Sequence, residues 1–276
     1  MIASTQPQIM GILNVTPDSF SDGGKYTGLG AALRQAATMI AEGADIIDVG
    51  GESTRPGSLP VGADEQIERV MPVIAELRAR YPDTVISIDT TLSKVAAAAL
   101  HAGANMINDV SAGLDDAAML ALAAASGARI ILMHRQGAPL TMQDNPFYQD
   151  VAAEVQTLLT ERIEAALAAG VKAAQIIIDP GIGFGKRKQD NLALLAGLDR
   201  LTGLGYPVLL GASRKRFMGN LLNVSAPEQL VTATAVTTAL GVMAGVRIFR
   251  VHDVMPNRQA AEVAWAILQA GHAGKK

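Results

Sequence analysis

Two rhythms of apolar residues alternate along this chain. Eight short, mostly aliphatic runs each lead onto a polar or glycine position: 9–13 before Asn14, 46–49 before Gly50, 85–88 before Asp89, and 106–107 before Asn108. The rest are 130–133 before His134, 176–178 before Asp179, 208–210 before Ser213 and Lys215, and 246–249 before Arg250 and His252. Short aliphatic runs of this kind read as buried parallel strands, covered on both faces. Over 31–42, 65–80, 93–102, 117–126, 150–169, 191–201, 227–244 and 258–270 the apolar spacing changes to three and four, the helical period. Gly43, Gly103, Gly127, Gly170, Gly203, Gly245 and Gly271 fall at or just past the expected helix ends, where glycine adopts a left-handed backbone at least cost.

Strand and helix thus alternate eight times, and parallel strands require such crossovers. The expectation is an α/β fold, a single (β/α)8 TIM barrel over residues 1–276, with its active site at the carboxyl ends of the strands. An open doubly wound sheet is the alternative. The first strand–helix turn, from Asn14 to Gly24, lacks the spaced glycines of a dinucleotide site. In a barrel the polar residues at the strand ends share one mouth. Asn14 or Asn108 alone reads as a helix cap. Together with Asp89, Asp179 and Lys215 they form a cluster too costly to bury without pairing or a ligand. The loops 14–24 and 50–57 are long, polar and glycine-bearing, as closing loops are, and carry Phe20 and Arg55.

Composition narrows the partners. A chain of 276 residues that is 49% hydrophobic and 18% charged can bury a large core. A net charge of -3 without any basic block argues against nucleic acid or an anionic membrane, and leaves small molecules. The absence of cysteine excludes thiolate chemistry and suits a cytoplasmic setting. The first eight residues do not resemble a secretory signal, and no apolar run is long enough to span a bilayer.

The stretches 10–24 (MGILNVTPDSFSDGG), 47–57 (IDVGGESTRPG), 107–109 (IND), 132–134 (LMH), 179–186 (DPGIGFGK), 213–215 (SRK) and 250–253 (RVHD) closely resemble the dihydropteroate synthase family. The resemblance runs from Met10 almost to the last residue. It implies a (β/α)8 barrel that joins dihydropterin pyrophosphate to 4-aminobenzoate, releases pyrophosphate, and is the target of sulfonamides. It also implies a pterin pocket of Asp89, Asn108, Met133, Asp179, Phe184, Gly211 and Lys215. A diphosphate site of Asn14, Arg55, Arg250 and His252 follows, with Mg²⁺ expected on Asn14 and Asp18 or Asp22 as further loop ligands. Aminobenzoate is placed by Phe20, Thr54, Arg55, Pro56, Phe184 and Ser213, with Ser213 at a helix start. Lys215, Asp89, Arg250 and Asn14 are the implied catalytic residues.

The chemistry suits these residue types. A pterin edge presents several N–H donors to an ionised carboxylate such as Asp179. Asn108 can donate or accept, while Lys215 only donates. An internal salt bridge between Asp179 and Lys215 is the alternative use of that pair. The glycines of 179–186 are not those of a phosphate-binding P-loop, since Arg187 follows Gly-Lys where that motif has serine or threonine. They are expected to let backbone approach the flat pterin. Departure of pyrophosphate would leave positive charge on the exocyclic carbon for the arylamine to attack. Such a path needs leaving-group stabilisation more than a strong base.

In this family an N-terminal hairpin often plugs the barrel, and here it is expected to be missing. Arg135 stands after His134 where methionine is frequent, and an effect on loop packing or affinity is expected. A homodimer through 231–244 and 258–270 is also expected. The competing readings are a corrinoid-linked methyltransferase domain, a Schiff-base aldolase using Lys215, and an inactive pterin-binding protein.

Overall fold

The structure, a computed structural model, describes residues 6–16, 24–53, 58–137 and 141–273. Eight strands form one sheet: β1 (Gln8–Asn14), β2 (Ile46–Gly50), β3 (Val85–Asp89), β4 (Met106–Asp109), β5 (Arg129–Met133), β6 (Ile176–Asp179), β7 (Leu209–Leu210) and β8 (Ile248–Val251). Their order is β6-β5-β4-β3-β2-β1-β8-β7, and each named pair is parallel. A bridge between Ile178 and Val208 brings β6 to β7, and Ile178 N–H donates to the Pro207 carbonyl at 3.0 Å. The sheet is thereby a nearly closed barrel. Around it lie α1 (Gly24–Ala41), α2 (Ala63–Arg80), α3 (Ser93–His101), α4 (Met119–Ser126), α5 (Val151–Ala168), α6 (Lys188–Ala196), α7 (Leu198–Thr202), α8 (Arg216–Leu222), α9 (Val231–Met243) and α10 (Val254–Ala273). None of the described helices is long and apolar enough to cross a membrane.

Side chains of a strand alternate between faces, and this period positions the site. Ile9, Leu13, Ile47, Val49, Ile86, Ile88, Ile107, Ile130, Leu132 and Phe249 face outward into the main core with the helices. Met10, Ile46, Met106, Ile131, Ile177, Leu209 and Ile248 fill the barrel interior, with Val85 packed against them. Toward the carboxyl ends the inward positions become polar or small on every strand but β5, which ends in Met133. The same faces end in Asn14, Gly50, Asp89, Asn108, Met133, Asp179, Gly211 and Arg250.

Several local expectations change. The helix expected over 191–201 is broken at Gly197 into α6 and α7, and the one over 227–244 opens with a 3-10 turn, Pro227–Leu230. The last strand starts at Ile248 rather than Val246, because Val246 N–H donates to the Gly241 carbonyl at 2.9 Å and so completes the end of α9. Gly43, Gly103, Gly127, Gly170 and Gly245 do adopt positive φ past their helices. Gly203, at φ −68, remains helical, and Gly271 lies within α10. The seven-residue α8, in the loop after β7, has no counterpart in the apolar pattern.

Candidate active site

The floor of the mouth is organised around one fully buried carboxylate that the strand-end pattern does not pick out. Asp48, inward-facing on β2, accepts from Asn108 Nδ2 at 3.0 Å and from Arg250 Nε at 2.6 Å, both on Oδ2. Arg250 Nη2 reaches Asp89 Oδ2 at 2.5 Å. Arg250 is therefore drawn down into the floor by two carboxylates, with only part of its donor fork left for a diphosphate. The signal for Asp48 was a lone charge inside the apolar run Ile46–Gly50, on the same face as Gly50.

Burial dominates the electrostatics. It pushes the Asp89 carboxyl up to about 7 against the pull of Arg250, with Asp48 adding to the rise. It pushes Asp179 up to about 6, although the Gly181 N–H, donating to Asp179 Oδ1 at 2.7 Å, and Lys215 oppose it. Lys215 is pressed down to about 8 by burial and by Arg250. Burial also works against Arg250, but Asp48 and Asp89 more than offset it and hold its pKa above the ordinary value. Asp179 and Lys215 form no ion pair among the described residues. The Lys215 ammonium lies instead 4.1 Å from the centroid of the Phe184 ring. Phe184 packs with Met133, Val110 and Met142 in a small apolar cluster. The expected pterin residues thus gather at one mouth, and Gly211 leaves room beside Asp179, whose Oδ2 would be 3.7 Å from an added Cβ.

Two of the three glycines after Asp179 pack loop against loop, while the third, Gly183, lines the cavity beside the Lys215 side chain. At Gly181 (φ +65) a Cβ would lie 1.8 Å from the His134 carbonyl oxygen, and at Gly185 (φ +60) 2.2 Å from that of Gln136. These two let the loop press against the loop after β5. Lys186, which the motif alone gives no role, locks the contact: its Nζ meets His134 Nδ1 at 2.9 Å, Gly181 O at 2.9 Å and Phe184 O at 3.0 Å. Burial and the neighbouring lysine push His134 down to about 3, so its ring is neutral. Burial lowers Lys186 to about 7.

Beyond the floor opens a cavity of about 670 Å³, lined among others by Asn14, Phe184, Ser213, Lys215, Arg250 and His252. Its outer wall adds Lys188 and Arg216, which make this side basic. Ser213 departs from expectation. It lies ahead of α8, whose cap is Lys215, and its hydroxyl is 3.0 Å from His252 Nδ1 while accepting from the His252 N–H at 3.1 Å. Arg214, at φ +56, pairs with Asp253 at 2.6 Å and fixes the same turn. Asn14 caps no described helix. Arg135 pairs with Asp115. Asp18, Phe20, Asp22, Thr54, Arg55 and Pro56 lie outside the described residues.

A (β/α)8 barrel with a buried acid–amide–lysine floor beneath a basic mouth has the build of a small-molecule enzyme. Residues 10–252 match the family described as pterin binding enzyme, and the chain belongs to it. Among its relatives within that family are dihydropteroate synthases. The Streptococcus pyogenes protein of that name is 53% identical over 257 residues, 92% of this chain and 93% of the relative. The solved structure of the Xanthomonas albilineans dihydropteroate synthase with 4-aminobenzoic acid superposes with a TM-score of 0.89 at 46% identity, covering 96% of this chain and 94% of that one. That of the Yersinia pestis enzyme in a sulfonamide drug complex gives 0.89 at 43% identity, covering 95% and 94%.

Proposed function

We propose that this chain condenses 6-hydroxymethyl-7,8-dihydropterin pyrophosphate with 4-aminobenzoate, yielding 7,8-dihydropteroate and pyrophosphate, and that sulfonamides compete for the aminobenzoate position. The observation that carries the reading is that Asp89, Asn108 and Asp179, at the ends of β3, β4 and β6, share one mouth with Lys215, which lies over Phe184 in the loop after β7. Asp179 accepts N–H donors of the pterin edge, Asn108 supplies a further acceptor, and Lys215 donates to a ring carbonyl or nitrogen. Phe184 and Met133 flank the ring.

The diphosphate then faces the basic side of the cavity, toward His252 and the remaining Arg250 donors; the family resemblance adds Arg55 as a further phosphate donor. As it departs, positive charge develops on the exocyclic carbon, and the floor carboxylates stabilise that charge without covalent attack. The arylamine nitrogen attacks the carbon and loses a proton. The position of Lys215 at the cap of α8, rather than inside a strand, weighs against Schiff-base chemistry.

Mg²⁺ fits this site as a companion of the diphosphate. No group of three carboxylate or histidine ligands occurs among the described residues, and Mg²⁺ commonly takes one or two protein oxygens with phosphate and water. Asn14 at the end of β1 would hold it, and when bound it would neutralise leaving-group charge. The exposed Val236, Leu240 and Met243 of α9 and Val263 and Ile267 of α10, two helices packed together, support a homodimer through that face. The lack of cysteine suits a reducing cytoplasm.

The test is pyrophosphate release from dihydropterin pyrophosphate with Mg²⁺. Release that requires 4-aminobenzoate and collapses in Lys215→Ala supports the reading; pterin binding without release points to a methyltransferase-like or inactive barrel. Light scattering of wild type and Leu240→Lys tests the dimer.

A further inference from the structure

We propose that Asp48 is a positioning residue of the pterin pocket: it fixes which side of the Asn108 amide faces the ligand and holds Arg250 in the floor. This rests on the pocket reading above. β2 pairs with β1 and β3, so the Asp48 bonds to Asn108 on β4 and Arg250 on β8 cross the barrel interior and are no part of the strand ladder.

The argument turns on what a carboxylate can do. Asp48 Oδ2 already accepts from the Arg250 guanidinium, and an oxygen so engaged accepts, so the amide side facing it is the NH₂. Oδ1 of Asn108 is then left as the acceptor at the end of β4, and no described donor engages it. A flip would set a carbonyl against a carboxylate, leaving the Asn108 oxygen without a donor there and Asp48 Oδ2 with the Arg250 bond alone. An asparagine at a strand end without such a partner could offer a ligand either face. Here the ligand must bring an N–H, as the amide-like edge of a pterin does. Because the same Asp48 oxygen draws in Arg250, two ligand-facing groups take their position from one atom.

A purely structural role accounts poorly for this arrangement. Asp48 has no solvent exposure, and its Oδ1 lacks a partner, as does Ser87 Oγ at the paired position on β3. A core that sought only stability would fare better with an apolar residue there. The carboxylate instead commits its oxygen to the two site residues.

Steady-state kinetics on Asp48→Asn, Asn108→Ala and the double variant Asp48→Asn with Asn108→Asp test the idea. An amide at position 48 no longer dictates the Asn108 orientation and holds Arg250 less firmly. KM for the pterin substrate is expected to rise about tenfold in Asp48→Asn, while KM for 4-aminobenzoate stays within about twofold. In the double variant, the carboxylate at position 108 offers an acceptor in either orientation, and most of the loss should be recovered. Equal changes in both KM values, no change in either, or no recovery in the double variant would overturn the proposal. Should Asn108→Ala raise the pterin KM while Asp48→Asn does not, the assignment of Asp48 alone falls. Should Asn108→Ala leave it unchanged, the pocket reading falls and takes the assignment with it. If Asp48→Asn does not accumulate folded, wild type decides through the Asn108 side-chain amide resonance, identified by its loss in Asn108→Ala. A strongly downfield, slowly exchanging proton is expected, and a solvent-like pair of protons counts against the proposal.

Discussion

Lys186 Nζ stands 2.9 Å from His134 Nδ1, and through that contact the loops after β5 and β6 become one body. The lysine also spans the Gly181 and Phe184 carbonyls. It therefore sets the position of Phe184, the ring beneath the Lys215 ammonium. Lys186→Met keeps the stem and removes the donors. Stability should fall by about 1–3 kcal/mol, from acceptors left unsatisfied. The pterin KM should rise several-fold. Urea denaturation and steady-state kinetics check both.

The same lysine makes stability depend on pH. Its folded pKa is about 7, below the ordinary 10.5. Between these values the unfolded chain binds a proton that the folded chain does not, so stability rises with pH across this window and loses that contribution as pH falls through about 7. The difference in stability between wild type and Lys186→Met should grow from pH 7 toward pH 10 and stay level below 7. A flat difference by denaturant titration contradicts it.

Catalysis should report the floor directly. Asp179 near 6 must be ionised to accept from the pterin, and Lys215 near 8 must be protonated to donate. kcat/KM for the pterin substrate should be bell-shaped, falling below about pH 6 and above about pH 8. Lys215→Arg should lower the plateau and move the alkaline limb upward, since guanidinium does not titrate there.

Two glycine substitutions separate conformation from contact. Gly127, at φ +71, has nothing within 4 Å of an added Cβ, so Gly127→Ala should cost about 1 kcal/mol and leave activity intact. Gly181, at φ +65, combines the same conformation with a backbone clash at 1.8 Å. Gly181→Ala should separate the two loops and abolish pterin binding, as fluorescence titration would register.

Arg135 pairs with Asp115, with its side chain 12% exposed and that of its partner 34%. Arg135→Gln should change stability by about 1 kcal/mol or less and leave both KM values within about twofold. Thermal denaturation and kinetics decide.

The period-two pattern makes the strand ends legible, and with them Asp89, Asn108 and Asp179. Asp48 escapes it because it sits one inward position below the rim, where an apolar run reads as background. Lys186 escapes for a different reason. Beside three glycines it resembles a ligand loop, and only the tertiary approach of His134 and Gln136 shows that Gly181 and Gly185 serve loop packing. The apolar run places the start of β8 too early because the Val246 amide is consumed by the end of α9, a bond that hydrophobicity does not register.

β6 meets β7 through the Ile178–Val208 bridge, with Asp179 on one side and Gly211 and Lys215 on the other. A molecule gripped by both the carboxylate and the ammonium fastens this edge like a clasp. Occupancy should therefore slow amide exchange at Ile178 and Val208 more than at the long β1–β2 ladder, so that the heterocycle in transit briefly becomes a tie in the wall of the barrel.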